Sequence, residues 1–295
     1  MLNVIDRDTV VGWYGSHARD LPWRSPDRTP WGVLVSEVML QQTPVARVLP
    51  VWQAWLDRWP QPAALAAETP AEAIRAWDRL GYPRRALRLH SAATAIVERH
   101  GGRVPDQYDD LLALPGVGEY TAAAVASFAY GQRHVVLDTN VRRVLARAAS
   151  GRPTAGASAT AAERALATAL LPQAGAAQWT VAVMELGALV CTANSPRCEV
   201  CPIADTCAWR LAGSPPPVGP RPRGQRWTGT DRQVRGRLMA VLRGTSGPVS
   251  EAELEPAWPD DAVQRERALD SLVADGLIEP VAPDSYCLPG SAPHG

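Results

Sequence analysis

The chain has 295 residues, 46% of them hydrophobic and 20% charged, which is enough for two or three packed units of an ordinary globular protein. Thirty basic residues balance thirty acidic ones, so global charge does not point to a nucleic-acid partner, and all thirty bases are arginine, which removes lysine amines from the possible nucleophiles. The first ten residues carry two aspartates, and no stretch approaches the roughly 18 apolar residues of a membrane span, so the expectation is a cytoplasmic chain with no membrane partner.

In chain order, "WGVLVSEVMLQQT" places Glu37 in a strongly apolar helical stretch, with Val33, Leu34 and Leu40 on its face. Desolvation there raises a carboxyl pKa and keeps an acid protonated near neutral pH; a paired structural acid is the other reading. "TPAEAIRAWDRL" (69–80) has a capping threonine and proline at the first helical position, and similar patterns predict helices over about 84–99, 106–113, 119–130, 139–149, 160–171 and 176–190. Thr160 with Glu163 forms a capping box. Period-two runs are scarce before residue 270, so the first 210 residues are expected to be almost entirely helical.

Between the helices predicted at 106–113 and 119–130 stands "LPGVGEYTA" (114–122). Glycines at 116 and 118 give backbone freedom just before a helix N-terminus, whose unpaired amides suit an anion such as a phosphate; a tight interhelical turn is the plainer alternative. Asp138, in "VVLDTNVRRVL", sits where a capping residue would, and amide donors with the helix dipole favour its ionised form. One carboxyl kept neutral and another kept charged is the pair that glycosidic bond cleavage uses.

Cys191, Cys198, Cys201 and Cys207 follow the helix predicted at 176–190 with spacing C-x6-C-x2-C-x5-C, a metal-binding pattern in a cytosolic chain, whereas Cys287 stands apart. Zinc and an iron-sulfur cluster both accept four thiolates, and composition does not choose between them. A Pro/Gly/Arg segment (212–228) then reads as a linker. Eight arginines between Arg210 and Arg243 face one acid, Asp231, and ten acids follow Arg243. Helices over 231–243 and 261–275, a short one opened by Ser250 and Glu253, and a hairpin in "LIEPVAPDSYCL" predict a small winged-helix-like α+β domain at 229–295.

"SEVMLQQT", "LPGVGEYTA", "LDTNV", "ELGALVC" and the four-cysteine loop, in this order over about residues 8–210, resemble the MutY-type adenine DNA glycosylases, and several of them are shared with endonuclease III. The resemblance implies a mainly all-α, two-lobed helix-hairpin-helix glycosylase fold over 1–211, with a six-helix lobe at about 25–135 and a cluster lobe from 1–24 and 136–211. It implies one 4Fe-4S cluster on the four cysteines and a hairpin, Gly116, Val117 and Gly118, that grips a DNA phosphate and a monovalent cation. It further implies a monomer associated with the nucleoid, acting on double-stranded DNA with A:8-oxoguanine or A:G mispairs and removing the flipped-out adenine.

By the same resemblance Glu37 protonates adenine and Asp138 stabilises the sugar cation, with Tyr120 and Asn140 in support. Trp23 and Arg24 form walls of the base pocket, Glu185 contacts the adenine amino group, and Gln42, Thr43, Leu80 and Tyr82 probe or wedge the opposite base. Endonuclease III-type lyases carry a Schiff-base lysine where this chain has Tyr120, so a monofunctional enzyme is expected. The chain departs from the family in having "LDTNV" for "LDGNV" and Val181 for a polar residue, and its tail is too short for the MutT-like domain of long relatives. A thymine or uracil mismatch glycosylase and an iron-sulfur DNA-binding redox sensor are the alternatives.

Overall fold

The computed structural model describes residues 5–217 and 227–291; most of the expected linker and the last four residues lie outside them. The elements are α1 (Arg7–His17), a 3-10 turn (Pro22–Arg24), α2 (Pro30–Leu40), α3 (Val45–Arg58), α4 (Pro62–Ala66), α5 (Pro70–Trp77), α6 (Arg84–His100), α7 (Tyr108–Leu112) and α8 (Glu119–Tyr130). There follow α9 (Thr139–Ala148), α10 (Ala161–Leu170), α11 (Ala176–Leu189), α12 (Ala208–Leu211), α13 (Asp231–Gly244), β1 (Val249–Ser250), α14 (Glu251–Leu254), α15 (Ala262–Ala274), β2 (Glu279–Ala282) and β3 (Ser285–Cys287). No helix among the described residues is long and apolar enough to cross a membrane.

Contacts divide the described residues into two compact units, one from 5–33, 106–112 and 117–217, the other from 34–105, 113–116 and 227–291. The first unit is built on α1, α9 and α11. Val10, Val141, Val144, Leu145, Ala182, Val183 and Leu186 form its core, and each of these side chains contributes about 1–3 kcal/mol on leaving water. Gly187 makes the α9–α11 approach possible: a Cβ there would stand 2.7 Å from Asn140 Cβ and 2.9 Å from the Asn140 carbonyl oxygen. Capping boxes form as the sequence predicts at Thr160–Glu163 and Ser250–Glu253, whereas Thr69 occupies an N-cap position without a side-chain hydrogen bond, leaving Pro70 to start α5.

In the second unit Trp55, Trp59 and Trp77 meet edge to face, with ring centroids 4.7 and 5.7 Å apart. The C-terminal residues are not a detached tail. Ala71 and Ile74 of α5 belong to the same buried cluster as Val234, Leu238, Leu242, Leu269 and Leu272, and Ala71 N–H donates to the Pro289 carbonyl at 3.0 Å. The expected hairpin forms from β2 and β3, and β1 joins it to give an antiparallel sheet of order β1-β3-β2, with Val249 opposite Tyr286. Pro280 is tolerated because β2 is an edge strand, where a missing N–H leaves no ladder bond unmade.

Candidate active site

Asp138 caps α9. Its Oδ1 accepts from Val141 N–H at 2.6 Å and its Oδ2 from Asn140 Nδ2 at 2.7 Å, so Asn140 is both the second residue of the helix and the carboxylate's side-chain donor. The amides and the Arg143 charge favour the anion, as the sequence reading expects, but burial outweighs them and the Asp138 carboxyl sits above its ordinary value. Tyr120, in the first turn of α8, is partly exposed in the same unit.

Hydrogen bonds continue from Asp138 to the cysteine loop. Arg143 donates to Asn140 Oδ1 at 2.7 Å, to the Gly187 carbonyl at 2.6 Å and to the Cys191 carbonyl at 2.7 Å. Arg147, 3% exposed, lies 3.3 Å from Cys191 Sγ, donates to the Thr192, Ala193 and Pro153 carbonyls, and stacks over the Trp209 ring. Sequence reasoning misses both arginines because their positions on an amphipathic helix look like an exposed charged face. All four cysteines line one cavity with Arg147 and Trp209. Burial first, and the other thiols next, hold Cys198 above the usual thiol range, and burial drives Cys201 up to about 11.

Trp23 and Arg24 occupy the short 3-10 turn after α1, and Trp23 is buried. Glu185 on α11 is wholly buried. Its Oε1 accepts from the Arg19 backbone N–H at 3.0 Å and from Arg19 Nε at 2.7 Å, and its Oε2 from Arg19 Nη2 at 2.8 Å and Arg24 Nη1 at 2.6 Å. Burial alone would raise this carboxyl, but the Arg19 hydrogen bond and the Arg24 charge carry it down to about 2. The adenine contact expected of Glu185 therefore meets a carboxylate whose acceptor positions already carry four hydrogen bonds. Arg19 is the residue that sequence reasoning missed here; it precedes "LPWR" by only a few positions and looks like a surface charge.

In the second unit Glu37 lies on α2, 7% exposed, where Trp31 through Met39 are all buried. The residues expected at the opposite base divide by exposure. Thr43 and Leu80 are buried, with Thr43 Oγ1 3.4 Å from the Leu80 carbonyl, whereas Gln42 and Tyr82 are exposed with φ of 55° and 50° in the left-handed region. Arg85 on α6 binds both turns: Nη1 donates to the Val38, Met39 and Gln41 carbonyls at 2.9, 3.1 and 2.6 Å, and Nη2 to Thr43 Oγ1 and the Gly81 carbonyl at 3.1 and 3.0 Å. Five bonds from one guanidinium offset the strain of the left-handed residues that hold Gln42 and Tyr82 outward.

Of the glycines in the 114–118 turn, Gly116 is the one that must be glycine, with φ +75° and a Cβ position only 2.5 Å from Arg88 Cβ. Gly118 is extended at φ −99° and caps α8 with nothing near its Cβ position, so the N-cap itself supplies no side-chain hydrogen bond to the helix.

Residues 35–170 match the family described as HhH-GPD superfamily base excision DNA repair protein. Adenine DNA glycosylase of Mycobacterium tuberculosis is 55% identical over 97% of this chain and 94% of its own length, and that of Mycolicibacterium smegmatis is 52% identical over 97% of each. Among solved structures, a thermostable thymine-DNA glycosylase superposes with a TM-score of 0.62 and 26% identity, over 70% of this chain and 95% of that one. The bacterial relatives thus match the C-terminal residues as well as the helical core, and the chain belongs to the HhH-GPD superfamily of base excision DNA repair proteins, among the adenine DNA glycosylases.

Proposed function

We propose that the chain excises adenine mispaired with 8-oxoguanine or guanine in duplex DNA, by hydrolysing the N-glycosidic bond of a flipped-out nucleotide without a strand-cleaving step. The observation that carries this reading is Asp138: a carboxylate at a helix N-terminus, hydrogen-bonded to an amide and to Asn140 and raised in pKa by burial. Such an anion is stabilised by a developing positive charge more than by its own surroundings, which is what an oxocarbenium-like transition state offers. Glu37, buried on α2, serves as the acid that protonates the imidazole part of adenine, because the glycosidic bond breaks only when the departing base can take up the electron pair. Asn140 fixes the rotamer of Asp138, and Tyr120 supports the carboxylate and the incoming water. With tyrosine at 120 and no lysine in the chain, no side-chain amine is available to form a Schiff base.

In the base pocket Trp23 supplies a ring for stacking and Arg24 a guanidinium for hydrogen bonding. Glu185 acts as a positioning residue that holds Arg24 and Arg19 in place. Gln42 and Tyr82 meet the DNA opposite the adenine, on the floor made by Thr43 and Leu80. The turn Gly116–Val117–Gly118 receives a phosphate at the N-terminus of α8, with a monovalent cation on its carbonyls.

A 4Fe-4S cluster on Cys191, Cys198, Cys201 and Cys207 is the cofactor that fits this chain. The four thiols line one cavity beside the buried Arg147 guanidinium, a donor set that fits a cluster held by four cysteine thiolates. The C-x6-C-x2-C-x5-C sequence spacing, which resembles the cluster loop of the endonuclease III and MutY glycosylases, supports the cluster over zinc. When bound, the cluster anchors the 191–207 loop, and Arg147 beside Cys191 Sγ compensates its thiolate charge.

The test offers the protein duplexes containing A:8-oxoguanine, A:G, A:C and T:G and follows base loss with and without alkali. Release at adenine, with strand breaks only after alkali, is the expected result. Release confined to T:G, or breaks without alkali, would overturn the reading.

A further inference from the structure

The second unit contains a cavity of about 380 Å³ where α6 and the Tyr82 turn meet α13 and the residues after α15. Four guanidinium groups line it, Arg84, Arg85 and Arg88 from α6 and Arg235 from α13, against a single carboxylate, Asp275. Asp275 is shared, accepting from Arg84 Nη1 at 3.0 Å and from Arg235, so it does not neutralise the group. Arg85 is 6% exposed, bonds only carbonyl and hydroxyl oxygens, and has an Nε with no hydrogen-bond partner. Burial draws its pKa down to about 10, as expected of a guanidinium held out of water with no anion beside it. Arg88 is exposed and has no ion pair or hydrogen bond among the described residues. Its stem lies against Gly116 in the turn before α8, so its head starts from the hairpin and reaches the cavity.

We propose that this cavity seats a backbone phosphodiester of duplex DNA, with Arg88 and Arg84 from the helical core and Arg235 from the C-terminal domain as its donors. The excess of positive charge selects an anion, and the guanidinium forks suit phosphate oxygens. Contact of Arg88 with the hairpin glycine makes the seat continuous with the phosphate-gripping turn, which identifies the anion as a further phosphate of the same duplex. Tyr82 stands at the rim with Arg232 of α13 over its ring at 5.0 Å, and the same guanidinium lies over the Trp227 ring at 5.4 Å, so the C-terminal domain also braces the residue expected at the opposite base. The C-terminal domain is then part of the DNA-binding surface through a discrete site. This inference deepens the reading of the chain as a DNA glycosylase and rests on it for the hairpin's role.

The experiment measures equilibrium binding of the full chain to an undamaged duplex over a range of KCl concentrations. Arg88→Ala is expected to make the slope of log K against log salt shallower by about one and to weaken binding several-fold at low salt. Arg88→Glu loses more, and Arg99→Ala, at the exposed far end of the same helix, behaves as wild type. Asp275→Asn, which removes the one negative charge, is expected to tighten binding, an effect that a purely structural role would not produce. An Arg88→Ala slope equal to wild type, an equal loss in Arg99→Ala, or weaker binding by a folded Asp275→Asn chain would overturn the proposal. Circular dichroism of each variant shows that it is folded. Duplex binding needs no base removal, so a wild-type chain that released no adenine would defeat the glycosylase reading and leave this measurement standing.

Discussion

Glu185 and Asp138 lie in the same unit, and burial has opposite consequences for them. Glu185 receives four hydrogen bonds from two arginines and is carried down to about 2, so it is ionised under all ordinary conditions and has no acceptor position to offer. Asp138 receives backbone amides and one carboxamide, forms no salt bridge among the described residues, and is pushed upward by burial. A buried carboxylate bonded directly to guanidinium groups is a structural anion. One whose hydrogen bonds come only from neutral donors remains high in energy, and that energy is released when a cation forms beside it. The two regions separate holding a pocket together from acting within it.

The sharpest way to break this contrast is to neutralise each acid in turn. Asp138→Asn keeps the shape and the capping ability of the side chain but removes the charge, and is expected to slow single-turnover adenine release by about a thousandfold or more, with duplex binding retained. A loss of less than about tenfold would remove Asp138 from the chemistry.

Glu185→Ala should act mainly on the fold. It leaves Arg19 and Arg24 without their anion, and breaking a buried pair this way costs about 3 kcal/mol, the low end of the usual range because Arg19 retains some access to water. Urea denaturation reads the loss as a shifted midpoint with an unchanged slope. A shift of less than about 1 kcal/mol would mean that the arginines find other partners.

How much of this could be read from the sequence follows from the range of each interaction. Helices α6, α8, α9, α10, α11, α13 and α15 follow from periodicity and local caps, and the capping boxes at Thr160 and Ser250 are contained within four residues. Asp138 as a helix cap is equally local, and Asn140 stands beside it in sequence. The balance of forces on Asp138 was not legible, because burial depends on residues far away in the chain. Arg19 on Glu185 spans 166 positions and Arg143 on Cys191 spans 48, and no local pattern marks either. Arg85, which fixes the Gln42 and Tyr82 turns, is hidden for the same reason. The short strand β1 has two residues and exists only because β3 is there to pair with it.

A third test strains the support around Asp138 without touching its charge. Gly187→Ala puts a methyl group 2.7 Å from Asn140 Cβ and 2.9 Å from its carbonyl oxygen, and neither can give way as the end of a flexible side chain could. Helices α9 and α11 must separate, at a cost of about 1–3 kcal/mol, and Asn140 must shift relative to Asp138. Both a lower melting temperature and slower adenine release are therefore expected. Gly12→Ala in α1, where nothing lies within 4 Å, should instead stabilise the helix by about 0.5–1 kcal/mol and leave the rate alone. Equal effects from the two substitutions would show that the Gly187 contact has no bearing on Asp138.

The smallest expected effect concerns pH, where the two acids should part company. Asp138 has a folded pKa above its unfolded value, so its ionised form disfavours the folded state at neutral pH and that penalty is relieved as pH falls. Glu185 has the reverse sign: its contribution is present above the unfolded value near 4.5 and is lost as pH falls toward about 2. On acidification, adenine release should fail while the Asp138 carboxyl takes up its proton, at a pH above the ordinary carboxylate value, with the Glu185 pocket still intact. Tryptophan fluorescence should remain native through that first loss. Asp138→Asn, freed of the penalty, should melt slightly higher than wild type at pH 7, by an amount on the order of 1 kcal/mol. If fluorescence and activity were lost together, or if Asp138→Asn melted lower, the charge at Asp138 would be as well compensated as that at Glu185 and would have no stored energy to lend to the reaction.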